Sequence, residues 1–266
     1  MSAHPEPSED IGSKLRLSSP TIYEIISTEG REELARPFQS LAWSATVAGI
    51  CISFSLFCEG FIKLHTPDAK GVFLLDNLGY SVGFLIVILG RFQLFTENTI
   101  TVILPLLERF SLYKFSRTMK LWGVVLVFNL LGTFLTALLI THFHFFSPEQ
   151  FDVFIDISKH AVLRPVDQVF FQAIPAGFLI AALVWMLPSS AGTQFWVIFM
   201  MTYLIAVGDF SHVIAGSTES FLLILGGYAS WQTGMLYILM AALGNIIGGS
   251  GLFALTAYAQ VREEMS

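Results

Sequence analysis

Charged side chains are scarce in this chain. Only 13% of its 266 residues are Asp, Glu, Lys or Arg, which is about half the share found in an ordinary soluble domain. Hydrophobic residues make up 54%, and the mean hydropathy is +0.68. The formal net charge of −6 leaves no positive excess for binding nucleic acid. These values predict a membrane protein that contacts lipid and binds no nucleic acid.

Cysteine is nearly absent, and the residues of common active sites form no pattern. Cys51 and Cys58 lie seven positions apart on one face of an apolar segment, where small packing residues are the simplest interpretation. A metal or redox pair would need more partners. The histidines show no ligand spacing, and we find no nucleophile arrangement or phosphate-binding loop. We therefore expect no metal, no cofactor and no enzymatic activity.

Long apolar segments indicate six membrane crossings. Segments 41–61, 121–140, 169–187 and 235–257 have the length of about 20 residues that a straight membrane helix requires. Segments 78–107 and 195–225 are too long for one crossing, and each carries charged or titratable residues near its middle. Charge at that depth costs a few kcal/mol or more unless it faces a partner or a cavity. We predict an all-α fold of six transmembrane helices, with the second and fifth broken by buried turns.

The loop charges predict the orientation. The larger group of cations precedes the first span, separates the second from the third and follows the sixth: Lys14, Arg16, Arg31, Arg36, Arg109, Lys114, Arg117, Lys120 and Arg262. The opposite loops hold only Lys63, Lys70, Lys159 and Arg164. By the positive-inside rule, both termini are expected in the cytoplasm.

Three regions are expected along the chain. Residues 1–37 are expected to form a cytoplasmic N-terminal segment, 38–260 a six-span transmembrane domain, and 261–266 a cytoplasmic C-terminal tail. The N-terminal segment contains a predicted short amphipathic helix that begins at Ser19 and Pro20 and ends near Arg36. Its isoleucines lie either on the membrane surface or against the bundle.

The two broken segments resemble each other. Residues 90–96 and 208–212 share a glycine, a charge, a phenylalanine and then a polar residue. Asn129 follows Thr96 by 33 positions, and Asn245 follows His212 by the same distance (129 − 96 and 245 − 212). Each half holds three spans, so the halves must insert with opposite topology. Inverted repeats with broken helices place a substrate site at the midplane, which predicts that Thr96 and His212 approach each other.

These turns suggest a path for a small anion. Half-helix N-termini favour anions, and a histidine ordinarily titrates near physiological pH, so His212 is expected to offer a positive charge or a proton. Apolar residues in the turns predict constrictions that control wetting. The residues assigned to the path and its gate are His212, Thr96, Phe95, Leu94, Phe210, Ser211, Asn245 and Asn129.

Each assignment has a purely structural alternative. His212 can be a hydrogen-bonding residue between helices, and Arg91 and Glu97 can be a pair that stabilises the turn. Asp209 and Glu219 are interpreted as turn and helix-cap groups. Glycines near the C-terminus are interpreted as a close-packing face, within or between protomers: Gly244, Gly248, Gly249 and Gly251.

Three motifs resemble a known family. They are Leu94-Phe95-Thr96, the turn from Phe210 to His212, and the Gly-Asn-Ile-Ile-Gly-Gly run at 244–249. Together they resemble the formate/nitrite transporter family over residues 38–257. The turns around Thr96 and His212 are most similar to a divergent inner-membrane branch of enterobacterial type, whose substrate is poorly defined.

The resemblance implies an aquaporin-like six-helix protomer in a homopentamer with one pore per protomer. Members pass small monovalent anions such as formate, nitrite, hydrosulfide or lactate, in some cases with a proton. The family's gate corresponds to Leu94, Phe95 and Thr96, its central histidine to His212, and the asparagine of its last span to Asn245.

The chain departs from the family pattern at three places. An acidic residue before the histidine is replaced by Ser211, and an asparagine four positions after it is replaced by Gly216. For the lysine of the outer vestibule, Arg164 is the nearest cation, with Lys159 close by. The alternatives are therefore a neutral-solute pore, which the absence of paired Asn-Pro-Ala turns disfavours, and a non-conducting assembly that keeps the fold.

Overall fold

The computed structural model describes residues 16–67, 71–143 and 145–265. Lys14, Lys70, the first fifteen positions of the N-terminal segment and the last residue of the tail lie outside the described residues. In the described ranges the α-helices are, in chain order, α1 Ser19–Ala35, α2 Phe38–Ile52, α3 Phe54–His65, α4 Val72–Asp76, α5 Ser81–Leu89, α6 Asn98–Thr101, α7 Leu104–Glu108, α8 Leu112–His142, α9 Pro148–Val162, α10 Val166–Met186, α11 Gln194–Val207, α12 Val213–Leu225, α13 Trp231–Ile246 and α14 Leu255–Met265. A π-helical segment, Ile247–Ala254, joins α13 to α14.

The predicted pattern of spans is confirmed. Five helical stretches are long and apolar enough to cross a membrane: Phe38–His65, Val72–Leu89, Leu112–His142, Val166–Ser189 and Trp231–Glu264. The second crossing continues after a break into Asn98–Glu108, and the fifth is built from the two shorter apolar helices α11 and α12. The chain is thus an all-helical, multi-pass membrane protein.

The two breaks have the same backbone geometry. Gly90 and Gly208 each end a helix at φ −75° and ψ −4°. The next residues, Arg91 and Asp209, adopt φ 57° and 58°, and they are the only non-glycine residues with positive φ in the described ranges. This left-handed conformation costs an L-residue about 1–2 kcal/mol. Because this conformation occurs at matching positions, the two halves contain turns of the same type, as the inverted repeat requires.

The repeat's register differs from the one predicted. The side-chain oxygen of Asn129 accepts a hydrogen bond from the Phe95 N–H, whereas that of Asn245 accepts from the Val213 N–H, each at 2.9 Å. Val213 directly follows His212, so the repeat partner of His212 is Leu94 and not Thr96. The prediction of one common offset was wrong, because 34 residues separate the bonded pair in the first half and 32 in the second.

Glycines let the long helices touch at the backbone. A Cβ added at Gly49 in α2 would lie 2.1 Å from the Asn129 carbonyl oxygen in α8. In the second half, a Cβ at Gly177 in α10 would lie 2.2 Å from the Asn245 carbonyl oxygen in α13. Such contact leaves no room for any side chain, so the same close crossing occurs in both halves.

The C-terminal glycine face packs mainly within the protomer. A Cβ at Gly244 would meet Ala173, one at Gly248 the Ile174 carbonyl, and one at Gly249 the Thr99 hydroxyl. Gly251 differs, because the nearest atom to its added Cβ belongs to its own helix at 4.0 Å. The alternative of packing within the protomer therefore holds for three of the four glycines.

The N-terminal helix α1 lies against the bundle. Ile22 and Ile26 are buried, and the Tyr23 hydroxyl donates to the Leu104 carbonyl at 3.0 Å. Its cap is Ser18, one residue before the predicted Ser19, since the Ser18 side chain accepts from the Thr21 N–H. Contacts between α1 and α14 place both ends of the described chain on one side, which we call the α1 side.

Helix α9 was missed in the sequence, where 141–168 was treated as a loop. The sequence did contain its start signal: Ser147 and Gln150 form a capping box, and Pro148 occupies the first turn. The helix buries Phe154 against α3 and packs on α12. It covers the end of the bundle opposite to α1, which we call the α9 side.

Candidate permeation site

Thr96 and His212 are in direct contact, as predicted. The Thr96 hydroxyl oxygen lies 2.8 Å from His212 Nε2, and both side chains are at most 1% exposed. His212 also caps α12, because its Nδ1 accepts the Ala215 N–H at 3.2 Å. With Nδ1 used as an acceptor, the neutral ring carries its proton on Nε2 and donates it to Thr96. The second break thus joins the first through one defined hydrogen bond.

A closed apolar layer surrounds this bond. Leu94 and Phe95 are each 1% exposed. The Phe95 ring meets Trp122 edge-on at 5.7 Å, and the His212 ring meets Phe84 edge-on at 4.9 Å. Leu94, Phe95, Thr96 and His212 therefore form a closely packed layer with almost no exposure to solvent.

Buried asparagine side chains hold both turns in place. The Asn129 side-chain nitrogen donates to the carbonyls of Ala45 and Gln93, each at 2.8 Å. The Asn245 side-chain nitrogen donates to the carbonyls of Ala173 and Ser211, at 2.8 and 3.0 Å. Both asparagines thus use their polar atoms on backbone, which places them behind the turns rather than in an open path.

A cavity of about 180 Å³ opens on the α1 side of the layer. Leu94, Arg91, Glu97 and Glu29 are among the residues that line it. Arg91 donates from both terminal nitrogens to the Glu29 carboxylate at 3.3 Å. Its ion-pair partner is therefore Glu29 of α1 and not Glu97. Arg91 therefore fastens the N-terminal helix over the first turn.

A smaller cavity, of about 60 Å³, lies on the α9 side and reaches His212. Arg164 borders it but is not a free cation. Its guanidinium donates to the Asp209 carboxylate, to the Asp209 carbonyl at 2.8 Å and to the Gln172 side chain at 2.8 Å. His160 contacts the same carboxylate at 3.2 Å. Arg164 and Asp209 together form a clamp on the second turn.

Ser211 and Phe210 also line the α9-side cavity. The Ser211 N–H donates to the Gln172 carbonyl at 3.3 Å. Phe210 packs on Gly208, where an added Cβ would lie 2.5 Å from its ring. These two residues form the short wall between the clamp and His212.

Sequence reasoning gave no cavity role to several polar residues that line this one, among them Glu59, Asn77, Tyr80, Glu219 and Tyr237. Glu219 was interpreted as a turn or cap group, but it lies in the middle of α12 and is 7% exposed. One signal was readable in advance, because an acidic residue inside an apolar helix is expensive unless it faces a cavity or a partner.

The space beside Gly216, where the family has an asparagine side chain, also contains a polar group. A Cβ added there would lie 2.0 Å from the Tyr237 hydroxyl oxygen, so α13 delivers a hydroxyl into the space that α12 leaves open. No sequence pattern links these two positions, because their proximity depends on how α12 and α13 pack.

The chain resembles known transporters over most of its length. The model of the formate/nitrite transporter family matches residues 20–259. The inner membrane protein YfdC of Escherichia coli K12 is 39% identical over 246 residues, covering 92% of this chain and 79% of that protein. The uncharacterized transporter YrhG of Bacillus subtilis is 24% identical over 248 residues, covering 89% of this chain and 92% of that protein.

Solved channel structures share the fold. An FNT family ion channel superposes with a TM-score of 0.79 at 15% identity, over 90% of this chain and 98% of that one. A pentameric formate channel with formate bound gives 0.70 at 19% identity, over 85% and 98%. The matched family and both solved structures are transporters or channels and not enzymes, as the sequence led us to expect. The chain belongs to the formate/nitrite transporter family.

Proposed function

We propose that this protein is a channel for small monovalent weak-acid anions of the formate and nitrite type, coupled to protons through His212. The observation that carries the proposal is the 2.8 Å contact between Thr96 and His212, which lies between two cavities on opposite sides. A titratable ring at a closed constriction can pass a proton to a weak acid as that acid crosses.

The geometry of His212 supports this role. Its Nε2 proton points at Thr96, whose hydroxyl belongs to the other half of the repeat. A substrate that replaces the Thr96 oxygen would receive the same hydrogen bond. Opening therefore requires only that the two turns separate at this bond, and Leu94 and Phe95 belong to the turn that would move.

The assembly and orientation complete the proposal. We infer a homopentamer with one pore per protomer, because the family and a pentameric structural neighbour support it. We place the protein in a bacterial inner membrane, because YfdC is an inner membrane protein. We place the α1 side on the cytoplasmic face of that membrane, because the positive-inside rule predicts this orientation.

Flux assays on proteoliposomes test the proposal. A panel of formate, nitrite, hydrosulfide and lactate would be measured at two pH values for the wild type and His212→Ala. We expect flux of at least one anion, and loss of its pH dependence in the variant. Flux that is unchanged by the substitution, or no flux of any small anion, would contradict the proposal.

A second candidate is a pore for a neutral solute. The α9-side cavity favours it, since Glu59 and Glu219 line that cavity while Arg164 is engaged by Asp209. Osmotic swelling that is insensitive to anions would support this candidate. The third alternative, a non-conducting assembly, would be favoured by a pore that is filled with side chains and a His212 without polar contacts, whereas His212 bonds to both Thr96 and Ala215.

A further inference from the structure

A groove with three cations lies on the α1 side, between the start of α2 and the start of α8. Its volume is about 320 Å³, and its charged lining residues are Arg36, Arg117 and Lys120. Among the residues that the structure describes, no acidic one lines it. Arg36 directly follows α1, whereas the other two cations belong to the N-terminal part of α8. We call this feature the α2–α8 groove.

The α2–α8 groove carries more positive charge than its acidic partners neutralise. Arg36 forms an ion pair with Glu33 at 3.1 Å, so its charge is compensated. Arg117 donates only to neutral groups, among them the Leu34 carbonyl. Lys120 forms no hydrogen bond or ion pair with any described residue. Three cations less one acid leave a net positive charge, which suits the groove to an anion.

The same groove becomes apolar toward the middle of the membrane. Leu41 of α2 follows Arg36 by five positions, and Val124 of α8 follows Lys120 by four. A helix rises 1.5 Å per residue, so Lys120 and Val124 differ in depth by about 6 Å. A phospholipid has its groups in this order, with the phosphate at the surface and the acyl chains below it. A soluble phosphate compound would use the charged end alone.

We propose that the α2–α8 groove binds an anionic phospholipid of the cytoplasmic leaflet. Arg117 and Lys120 contact the headgroup phosphate, and an acyl chain lies along Leu41 and Val124. Basic pockets between membrane helices on the cytoplasmic side suit such headgroups. The choice of leaflet rests on the proposed orientation, whereas the binding itself is independent of the transported solute.

A lipid bound in this groove connects the N-terminal helix to the bundle. Arg117 holds the Leu34 carbonyl in the last turn of α1. A guanidinium has five N–H donors, so others remain for a phosphate. One headgroup therefore links α1, α2 and α8. Because the lipid binds the folded protein, it raises the unfolding temperature.

The test uses the purified full chain in detergent, with phosphatidylglycerol as the anionic probe. The comparison ligands are phosphatidylethanolamine, which has no net charge, and glycerol phosphate, which has no acyl chains. Native mass spectrometry measures the apparent Kd of the tightest bound molecule, and thermal unfolding measures the gain in stability.

The variants are Lys120→Gln and Arg117→Gln/Lys120→Gln. The matched controls are Arg109→Gln and Arg109→Gln/Arg262→Gln, which remove the same charge on the α1 side from residues that do not line the groove. Since the Lys120 ammonium has no partner in the fold, Lys120→Gln tests the site even if Arg117→Gln disturbs α1. A single peak on size exclusion shows that each variant folds.

Phosphatidylglycerol is expected to bind the wild type more tightly than either comparison ligand. One cation beside an anionic headgroup raises affinity about fivefold, so Lys120→Gln should weaken binding by about that factor and the double variant about 25-fold. Each control should change the Kd by less than about twofold. The rise in unfolding temperature caused by the lipid should shrink in the same order.

Four outcomes would overturn the inference. Equal binding of phosphatidylethanolamine would show that the headgroup charge is not recognised, and equal binding of glycerol phosphate would assign the groove to a soluble phosphate compound. Equal effects of Lys120→Gln and Arg109→Gln would show a diffuse attraction to surface charge. A change of oligomeric state in Lys120→Gln without loss of lipid would assign the groove to a contact between copies of the chain.

Discussion

Asn129 and Asn245 make the same three hydrogen bonds in the two halves of the molecule. Each side-chain oxygen accepts a backbone N–H from the far side of a break. Each side-chain nitrogen donates to one carbonyl of the break and to one carbonyl of the neighbouring span. A single amide side chain therefore ties three chain segments together and sets where the helix is interrupted.

Replacing either asparagine should destabilise the fold strongly. Asn129→Ala or Asn245→Ala would leave the buried N–H of Phe95 or Val213, and the carbonyl of Gln93 or Ser211 in the break, without the partner that the asparagine supplies, at a cost of about 1–3 kcal/mol for each group left unsatisfied. The measurement is thermal unfolding in detergent. Thr256→Ala, on the exposed face of α14, is the control and should stay within about 0.5 kcal/mol. Equal stability of all three variants would contradict this role.

The close helix crossings predict that replacing glycine with alanine destabilises the protein at the crossing positions and not elsewhere. Gly49→Ala and Gly177→Ala each force a Cβ to within about 2 Å of a carbonyl oxygen, as the added atoms at 2.1 and 2.2 Å show. The helices must then separate, at a cost of about 1–3 kcal/mol. Gly123→Ala is the matched control, because nothing lies within 4 Å of its added Cβ. Thermal unfolding of the three variants decides the matter, and equal effects would refute the close crossings.

The two arginines that contact the breaks should contribute unequally to the stability of the fold. The Arg164 side chain is 11% exposed and donates to four groups: the Asp209 carboxylate, the carbonyls of Asp209 and His160, and the Gln172 side chain. Arg164→Gln should therefore lower stability by about 1–3 kcal/mol. Arg91 is 74% exposed and pairs with Glu29 alone, so Arg91→Gln should cost less than about 1 kcal/mol. Unfolding of the two variants in denaturant compares them directly. A larger effect at Arg91 would reverse this ranking.

The hydroxyl of Thr96 should matter more than its shape. Thr96→Val keeps the branched side chain but removes the hydrogen bond to His212, whereas Thr96→Ser keeps the bond. We expect the valine variant to change flux through the constriction and the serine variant to resemble the wild type. Flux of formate or nitrite in proteoliposomes measures both, and identical behaviour of valine and serine would show that the bond is irrelevant.

Much of the fold was predictable because the membrane imposes strong rules. Segment length and charge at depth predicted both broken spans, and the similarity of the turns predicted that Thr96 and His212 meet. The register was wrong, since matching Thr96 to His212 gave equal spacing to the asparagines by coincidence. The hydrogen bonds of Asn129 and Asn245 and the matching left-handed residues Arg91 and Asp209 give the alignment, in which Leu94 corresponds to His212.

The α9-side cavity was less accessible to sequence reasoning. Arg164 lines it, but the bond between Arg164 and Asp209 depends on a left-handed turn that no residue pattern predicts. The proximity of Tyr237 to Gly216 depends on the packing of α12 against α13. Contacts between distant helices are set by three-dimensional packing, so a single sequence contains no direct trace of them.

The central claim is that Thr96 and His212 act as one unit at the constriction. Flux of a permeant anion in proteoliposomes, measured for Thr96→Val, His212→Ala and the double variant, tests it most directly. If the bond is the functional unit, each single variant changes flux, and the double variant is no more impaired than His212→Ala alone. Wild-type flux in His212→Ala, or effects that simply multiply in the double variant, would contradict the claim.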